Sequence, residues 1–299
     1  MKLIESSAEY IQQDYTYEGI TKHIEKCARV CYKSENKQSE SFEDSEKFVK
    51  RLIDSGHTAM LEHGTVYLTE RWKTDNDNFP ESKFKYNPYS KVIELYPYQH
   101  NKLCYVTTNL RVIQENGWLD NLRFICEPTE NHNKRYTFKL VTSIGIVREL
   151  LRHRVFSFAN ESTRYCNYSK DKFDNDITFI KPYWLDTGEV DIKNLDYHNP
   201  YWLDSLPVHS INEGDFMAFM QRLHLIESTY MEMVSDRYKP QEAREILPLC
   251  TKSELIMTGF KSDWDHFFDL RLYGKTGEPH PDMKILAQKI KDEFDKYNL

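Results

Sequence analysis

Between Arg135 and Arg154 the hydrophobic spacing changes abruptly from the alternation of a strand to the spacing of a helix. "RYTFKLVTS" reads as a strand, "IGIVRELLRHR" reads as a helix, and Ser143 is placed to cap that helix. The same two periodicities recur along the chain. "YEGITKHIEKCARVCYKS" predicts a helix, and "SFEDSEKFVKRLIDSGH" predicts a second, with Ser41 as N-cap, Phe48, Val49, Leu52 and Ile53 as its apolar stripe, and Gly56 closing it. "GTVYLTERW", "LCYVTT" and "DITFIKP" predict strands, and "NLRVIQENG" a short helix ending at Gly117. The longest helix is expected over Glu213–Tyr238, with Phe216, Phe219, Met220, Leu223, Ile226, Tyr230, Met233 and Val234 as a core or interface stripe. Pro240 and Pro248 bracket the short helix "PQEAREIL", and "SDWDHFFDLRLYG" and "PDMKILAQKIKDEFDKY" read as the last two helices. The expectation is one α+β domain over residues 1–299. Its polar insertion runs from about Lys73 to Lys134, with loops over Lys73–Lys102 and in "CEPTENHNK".

Composition removes several function classes. A net charge of −7 argues against a general nucleic-acid binder, so no nucleic-acid partner is expected. No apolar run is long enough to span a bilayer, and the start "MKLIESSAEYIQQDY" lacks a signal-peptide core, so the expectation is a cytoplasmic protein with no membrane partner. The six cysteines form no CxxC pair and are expected as free, mostly buried thiols. Without a GxGxxG or P-loop pattern, side chains would have to hold any nucleotide.

The stretch "RHRVFSFANESTRY" begins at a helix C-terminus, runs into a loop, and concentrates cations beside hydroxyls. Arg152, His153 and Arg154 alone fit a last helical turn that complements the helix dipole. Ser162, Thr163 and Arg164 shift the balance toward an anion site, because guanidinium forks match phosphate oxygens in pairs and hydroxyls add donors. In "GHTAMLEH", His57, Glu62 and His63 do not match a zinc-protease spacing. No metal is expected there, and a His–Glu hydrogen bond at a helix-to-strand turn is the plain reading. Arg244 and Arg271, taken singly, read as surface salt bridges.

The stretch RHR, seven residues, Ser is similar to the signature of the flavin-dependent thymidylate synthases, the ThyX family. "ARVCYKS", "GHTAMLEH", "REILP" and "FFDLRL" fit the same family in the same order. The resemblance implies a mixed α+β domain with a central antiparallel or mixed sheet and long helices. It also implies a homotetramer with active sites shared between subunits. The implied reaction is methylation of dUMP at C5 to dTMP. Carbon comes from 5,10-methylenetetrahydrofolate and electrons from NADPH through FAD, with no cysteine nucleophile.

The same resemblance assigns residues. FAD would be held by Arg152, His153 and Arg154, with His57, Glu62, Asn160 and His266 on the flavin side. The dUMP ligands would be Glu149, Arg152, Asn160, Glu161, Ser162, Thr163, Arg164, Arg244 and Arg271, with Arg244 near the phosphate. Arg271 would polarise the uracil, and Ser162 and His57 would complete the catalytic set. Several positions depart from the common pattern: Glu149 for Gln, Asn160 for Glu or Gln, Ala59 for a hydroxyl residue, Cys31 for Ser, and Phe260 and Ser262 for Asn and Arg. Two other readings are an RNA-binding module built on the Arg and Tyr residues and a catalytically inactive relative.

Overall fold

The computed structural model describes residues 1–75, 78–164, 166–170, 173, 175–185 and 213–299, so Tyr165 lies outside the described residues. In chain order the strands are β1 (Lys2–Ile4), β2 (Ser7–Tyr10), β3 (Thr65–Lys73), β4 (Lys91–Tyr98), β5 (Asn101–Asn109), β6 (Arg135–Ser143), β7 (Ser157–Asn160), β8 (Thr178–Ile180) and β9 (Lys252–Phe260). The helices are α1 (Tyr17–Val30), α2 (Phe42–Asp54), α3 (Leu110–Glu115), α4 (Ile144–Leu150), α5 (Glu213–Ser235), α6 (Pro240–Ala243), α7 (Lys261–Arg271) and α8 (Pro281–Tyr297). Among the described residues no helix is long and apolar enough to cross a membrane.

The expected α+β class is the observed one. An antiparallel sheet in the order β2-β6-β9-β7 is covered on both faces. Leu255 and Met257 of β9 join Phe138 and Leu140 of β6 under Trp264, Phe267 and Phe268 of α7 and Met283, Leu286, Ile290 and Phe294 of α8. Ile256 points the other way, with Ala159 of β7, and meets Cys27 and Val30 of α1. Both faces of β9 are buried, so its apolar residues Leu255, Ile256 and Met257 follow one another without alternation.

The second sheet, β3-β5-β4, packs Val66, Leu68, Cys104 and Val106 against Ile20 and Ile24 of α1 and Val49 of α2. The pair β1-β8 is parallel and lies against Phe216, Met220, Leu223 and Tyr230 of α5, so the expected helical stripe is core. The helix itself ends at Ser235, three residues before the expected limit at Tyr238.

Two segments expected as loops are strands. Lys91–Tyr98 hydrogen-bonds to β5 as one arm of a hairpin, because Val92 and Ile93 gain an apolar partner in the sheet that their polar surroundings in the sequence do not advertise. Ser157–Asn160 pairs with Thr258 to Leu255, so the chain after the RHR triplet enters the main sheet as its edge.

Candidate active site

Ser143 Oγ accepts from the Ile146 backbone N–H at 3.3 Å and starts α4 as expected. Ile146, Val147 and Leu150 are buried, so helical spacing turns Arg148 to solvent and leaves Glu149 half-buried. Helix α7 is fixed similarly by buried Trp264, Phe267 and Phe268, which leaves Arg271 at its end facing α4. There Arg271 Nε donates to His153 Nε2 at 2.9 Å and Nη1 donates to Glu149 at 3.2 Å. The structure thus brings together three expected site residues from two separated segments. Burial first, then the positive Arg271 and His266, push the His153 pKa down to about 4. His153 is therefore neutral near pH 7, and it accepts from an arginine. Its ring stands edge-on to Phe267 at 5.2 Å.

A second group lies beside the first. Arg244 Nη1 donates to Thr163 Oγ1 at 3.2 Å, and both residues line a cleft of about 330 Å³ with Arg148. A neighbouring cleft of about 420 Å³ is lined by Glu149, Trp184 and Phe219. Pro248 and Leu249 border both clefts. The backbone holds this rim to α4, with Gly145 N–H donating to Leu249 C=O at 3.0 Å and Ile144 N–H to Thr251 C=O at 2.9 Å.

The loop that carries Ser162, Thr163 and Arg164 is tied down from behind. Ser162 N–H donates to Cys31 C=O at 3.1 Å, which joins the loop to the end of "ARVCYKS". Asn160 accepts at Oδ1 from Ser253 Oγ at 3.0 Å. Glu161, expected as a dUMP ligand, is buried behind the loop. Its carboxylate meets Lys252 Nζ at 3.1 Å and accepts from the Glu254 backbone N–H at 3.1 Å. Glu254 in turn pairs with Lys33, with Lys139 at 2.8 Å and with Lys252 at 2.8 Å. Burial raises the Glu254 carboxyl, but these lysines outweigh it and hold it far below the usual carboxylate range. The Cys166 thiol just past the loop is fully buried, so it offers no accessible nucleophile.

The expected flavin-side residues do not form one cluster within the chain. Arg152 and Arg154 are exposed, and among the described residues neither guanidinium has a hydrogen bond or ion pair. His57 is exposed and meets Ser55 Oγ at 3.4 Å, and His266 is exposed on α7. Glu62 pairs with Arg111 of α3 at 2.5 Å. The expected His–Glu hydrogen bond is replaced, because buried His63 instead meets Thr258 Oγ1 at 2.8 Å across the sheet. Phe260 and Ser262 carry Lys91 of β4, whose Nζ lies 4.3 Å from the Phe260 ring centroid and donates to Ser262 Oγ at 2.6 Å.

Sequence reasoning missed Arg148, Lys252, Glu254, Lys91 and Arg111. Only Arg148 left a local signal, standing one helical turn before Arg152.

The sequence pattern of the thymidylate synthase complementing proteins matches residues 13–71 and 127–297. The chain belongs to this family, the ThyX proteins. Between the two matched stretches this ThyX chain carries β4, β5 and α3. It is 26% identical over 155 residues to the flavin-dependent thymidylate synthase of Synechocystis sp.. It is 29% identical over 158 residues to the probable flavin-dependent thymidylate synthase of Paramecium bursaria Chlorella virus 1. Each match covers 52% of this chain and 64% of the relative's length. Among solved structures, the UMP/dUMP methylase PolB from Streptomyces cacaoi bound with 5-Br dUMP is similar over 99% of this chain and 93% of that one, at 16% identity and a TM-score of 0.43.

Proposed function

We propose that this ThyX-family chain methylates dUMP at C5, with methylenetetrahydrofolate as carbon donor and NADPH as reductant. The observation that carries the reading is the pair of clefts meeting at Pro248 and Leu249, one with Arg244 and Thr163, the other with Glu149 beside Arg271. A nucleotide laid across that rim puts its phosphate against Arg244 and Thr163 and its pyrimidine toward Arg271.

The chemistry of the side chains suits those ends. Thr163 Oγ1 accepts from Arg244, so its own proton is free to donate to a phosphate oxygen. Arg244 offers the rest of its fork to the same anion. Arg271 commits Nε to His153 and one Nη1 hydrogen to Glu149, and its remaining N–H groups can face a uracil carbonyl or N3. A neutral His153 holds the guanidinium without adding a second positive charge. Positive charge fixed in that way stabilises the negative charge that develops on the ring during attack through C5. Cys166 is fully buried, and burial pushes the Cys250 thiol, which lines the second cleft, up to about 11, so neither presents a thiolate; this supports a route without a cysteine nucleophile.

Arg152 and Arg154 fit a flavin dinucleotide, since two exposed guanidiniums without partners among the described residues can pair with its phosphates. The flavin, when bound, supplies the hydride. Their exposure also supports a homotetramer in which a neighbouring copy completes the flavin site.

The test is to purify the protein with its flavin, record the visible spectrum, add NADPH without oxygen, and follow tritium release from C5-labelled dUMP with folate present. Bleached flavin bands and released tritium are expected. A protein that binds no flavin, but binds RNA with an affinity falling steeply with salt, would replace this reading with the RNA-binding one.

A further inference from the structure

We infer that Arg148 is a third ligand of the substrate phosphate and supplies the net positive charge of its cleft. This rests on the reading that the cleft of Arg244 and Thr163 takes a nucleoside monophosphate.

Three observations converge on Arg148. It lines the same cleft of about 330 Å³ as Arg244 and Thr163. Its direction is set by the fold, because the buried Ile146, Val147 and Leu150 face the sheet and the Ser143 cap fixes where the helix begins. The bond from Gly145 N–H to Leu249 C=O then holds the start of the helix to the segment carrying Arg244. Finally, Arg148 is exposed, and among the described residues its guanidinium has no hydrogen bond or ion pair.

Charge decides between a ligand and an ordinary surface arginine. The charged residues lining the cleft are Arg148, Arg244 and Glu245. Glu245 lies 3.5 Å from Arg244 Nε and is largely exposed, so it offsets one arginine loosely. With Arg148 the cleft carries a net +1, and without it zero. A phosphate monoester carries between one and two negative charges at neutral pH, and a neutral cleft gives it no field to enter. Two guanidiniums facing one small space repel each other, and an anion between them removes that repulsion. The plain alternative, a cation in the last turn complementing a seven-residue helix, explains neither the shared cleft nor the missing partner.

The experiment compares dUMP with deoxyuridine, which lacks the phosphate, by calorimetric titration of the flavin-loaded protein. The variants are Arg148→Met, which keeps the aliphatic stem, and Glu245→Gln. The wild-type protein should prefer dUMP. Arg148→Met should weaken dUMP about 10- to 100-fold, the range for a hydrogen bond to a charged group, and leave deoxyuridine unchanged. Glu245→Gln should tighten dUMP. Unchanged dUMP affinity in Arg148→Met, with wild-type dUMP preference intact, overturns the assignment of Arg148 alone. A wild-type protein that binds both ligands equally overturns the phosphate reading of the cleft, and Arg148's role with it. Arg148 is exposed, and an unchanged melting temperature in Arg148→Met confirms that any loss of affinity is not a loss of fold.

Discussion

The Nε–H of Arg271 donates to Nε2 of His153 over 2.9 Å, which fixes that histidine as the tautomer protonated on Nδ1. The pair joins the end of α7 to the RHR triplet, segments separated by 118 positions in the chain. Removing the guanidinium should therefore act on the reaction more than on the fold. Arg271→Ala is expected to lower turnover by about two orders of magnitude or more while flavin absorbance stays. Tritium release at saturating dUMP measures it, and wild-type release from the variant would remove Arg271 from the chemistry.

Glu161 is expected to act behind the substrate loop rather than on the nucleotide. Its side chain is 1% exposed and that of Lys252 is 11% exposed. Breaking this buried pair should cost about 3 kcal/mol and let the Ser162–Arg164 loop shift. Glu161→Gln and Lys252→Met should both weaken dUMP binding and lower the denaturation midpoint. If Glu161 instead touched the nucleotide directly, Lys252→Met would lose stability yet titrate dUMP normally.

Acid should unfold the protein in two stages. His23 and His63 are buried, and burial pushes each down to about 3 from an ordinary 6.5. Below about pH 6.5 the unfolded chain takes up these protons first, so stability falls, by up to about 1.4 kcal/mol per pH unit for each histidine. Glu254, held far below its ordinary 4.5, adds a second loss below that value. Its stabilisation is complete above pH 4.5 and disappears as the pH falls toward its lowered pKa. Urea titrations from pH 7 to pH 4 measure the first loss, and a flat profile between pH 6.5 and 5 would show that the two histidines are not neutral in the fold.

Trp264 connects the core to the site. Its ring is fully buried beneath α7, and Nε1 donates to Tyr136 C=O at 3.3 Å. Trp264→Ala should cost about 3–5 kcal/mol of stability, readable as a shifted denaturation midpoint. A change under about 1 kcal/mol would mean that α7, and the Arg271 it carries, is positioned by something else.

Much of this was legible in the residues. The Ser41 and Ser143 caps, the α5 stripe and the "RYTFKLVTS" strand are local signals, and each element formed where its signal lay. Strand β9 was missed because both its faces are buried, so Leu255, Ile256 and Met257 run together without the alternation that marks a half-buried strand. The short edge strand β7 was hidden among polar and small residues, and only its partner β9 makes it a strand. At the site, arginines in family motifs were readable one by one. Their pairing was not, since Arg271 meets Glu149 across 122 positions and Arg244 meets Thr163 across 81. Nothing local marks Glu161 as an anchor, because its partners Lys252 and Glu254 come from the missed strand.

A crystal of the protein with flavin and dUMP tests the site most directly. The phosphate should lie about 3 Å from Arg244 and Thr163, with the pyrimidine against Arg271 and the sugar crossing the Pro248–Leu249 rim. A nucleotide bound away from both clefts, with Arg244 and Arg271 still in their present contacts, would contradict the proposed site.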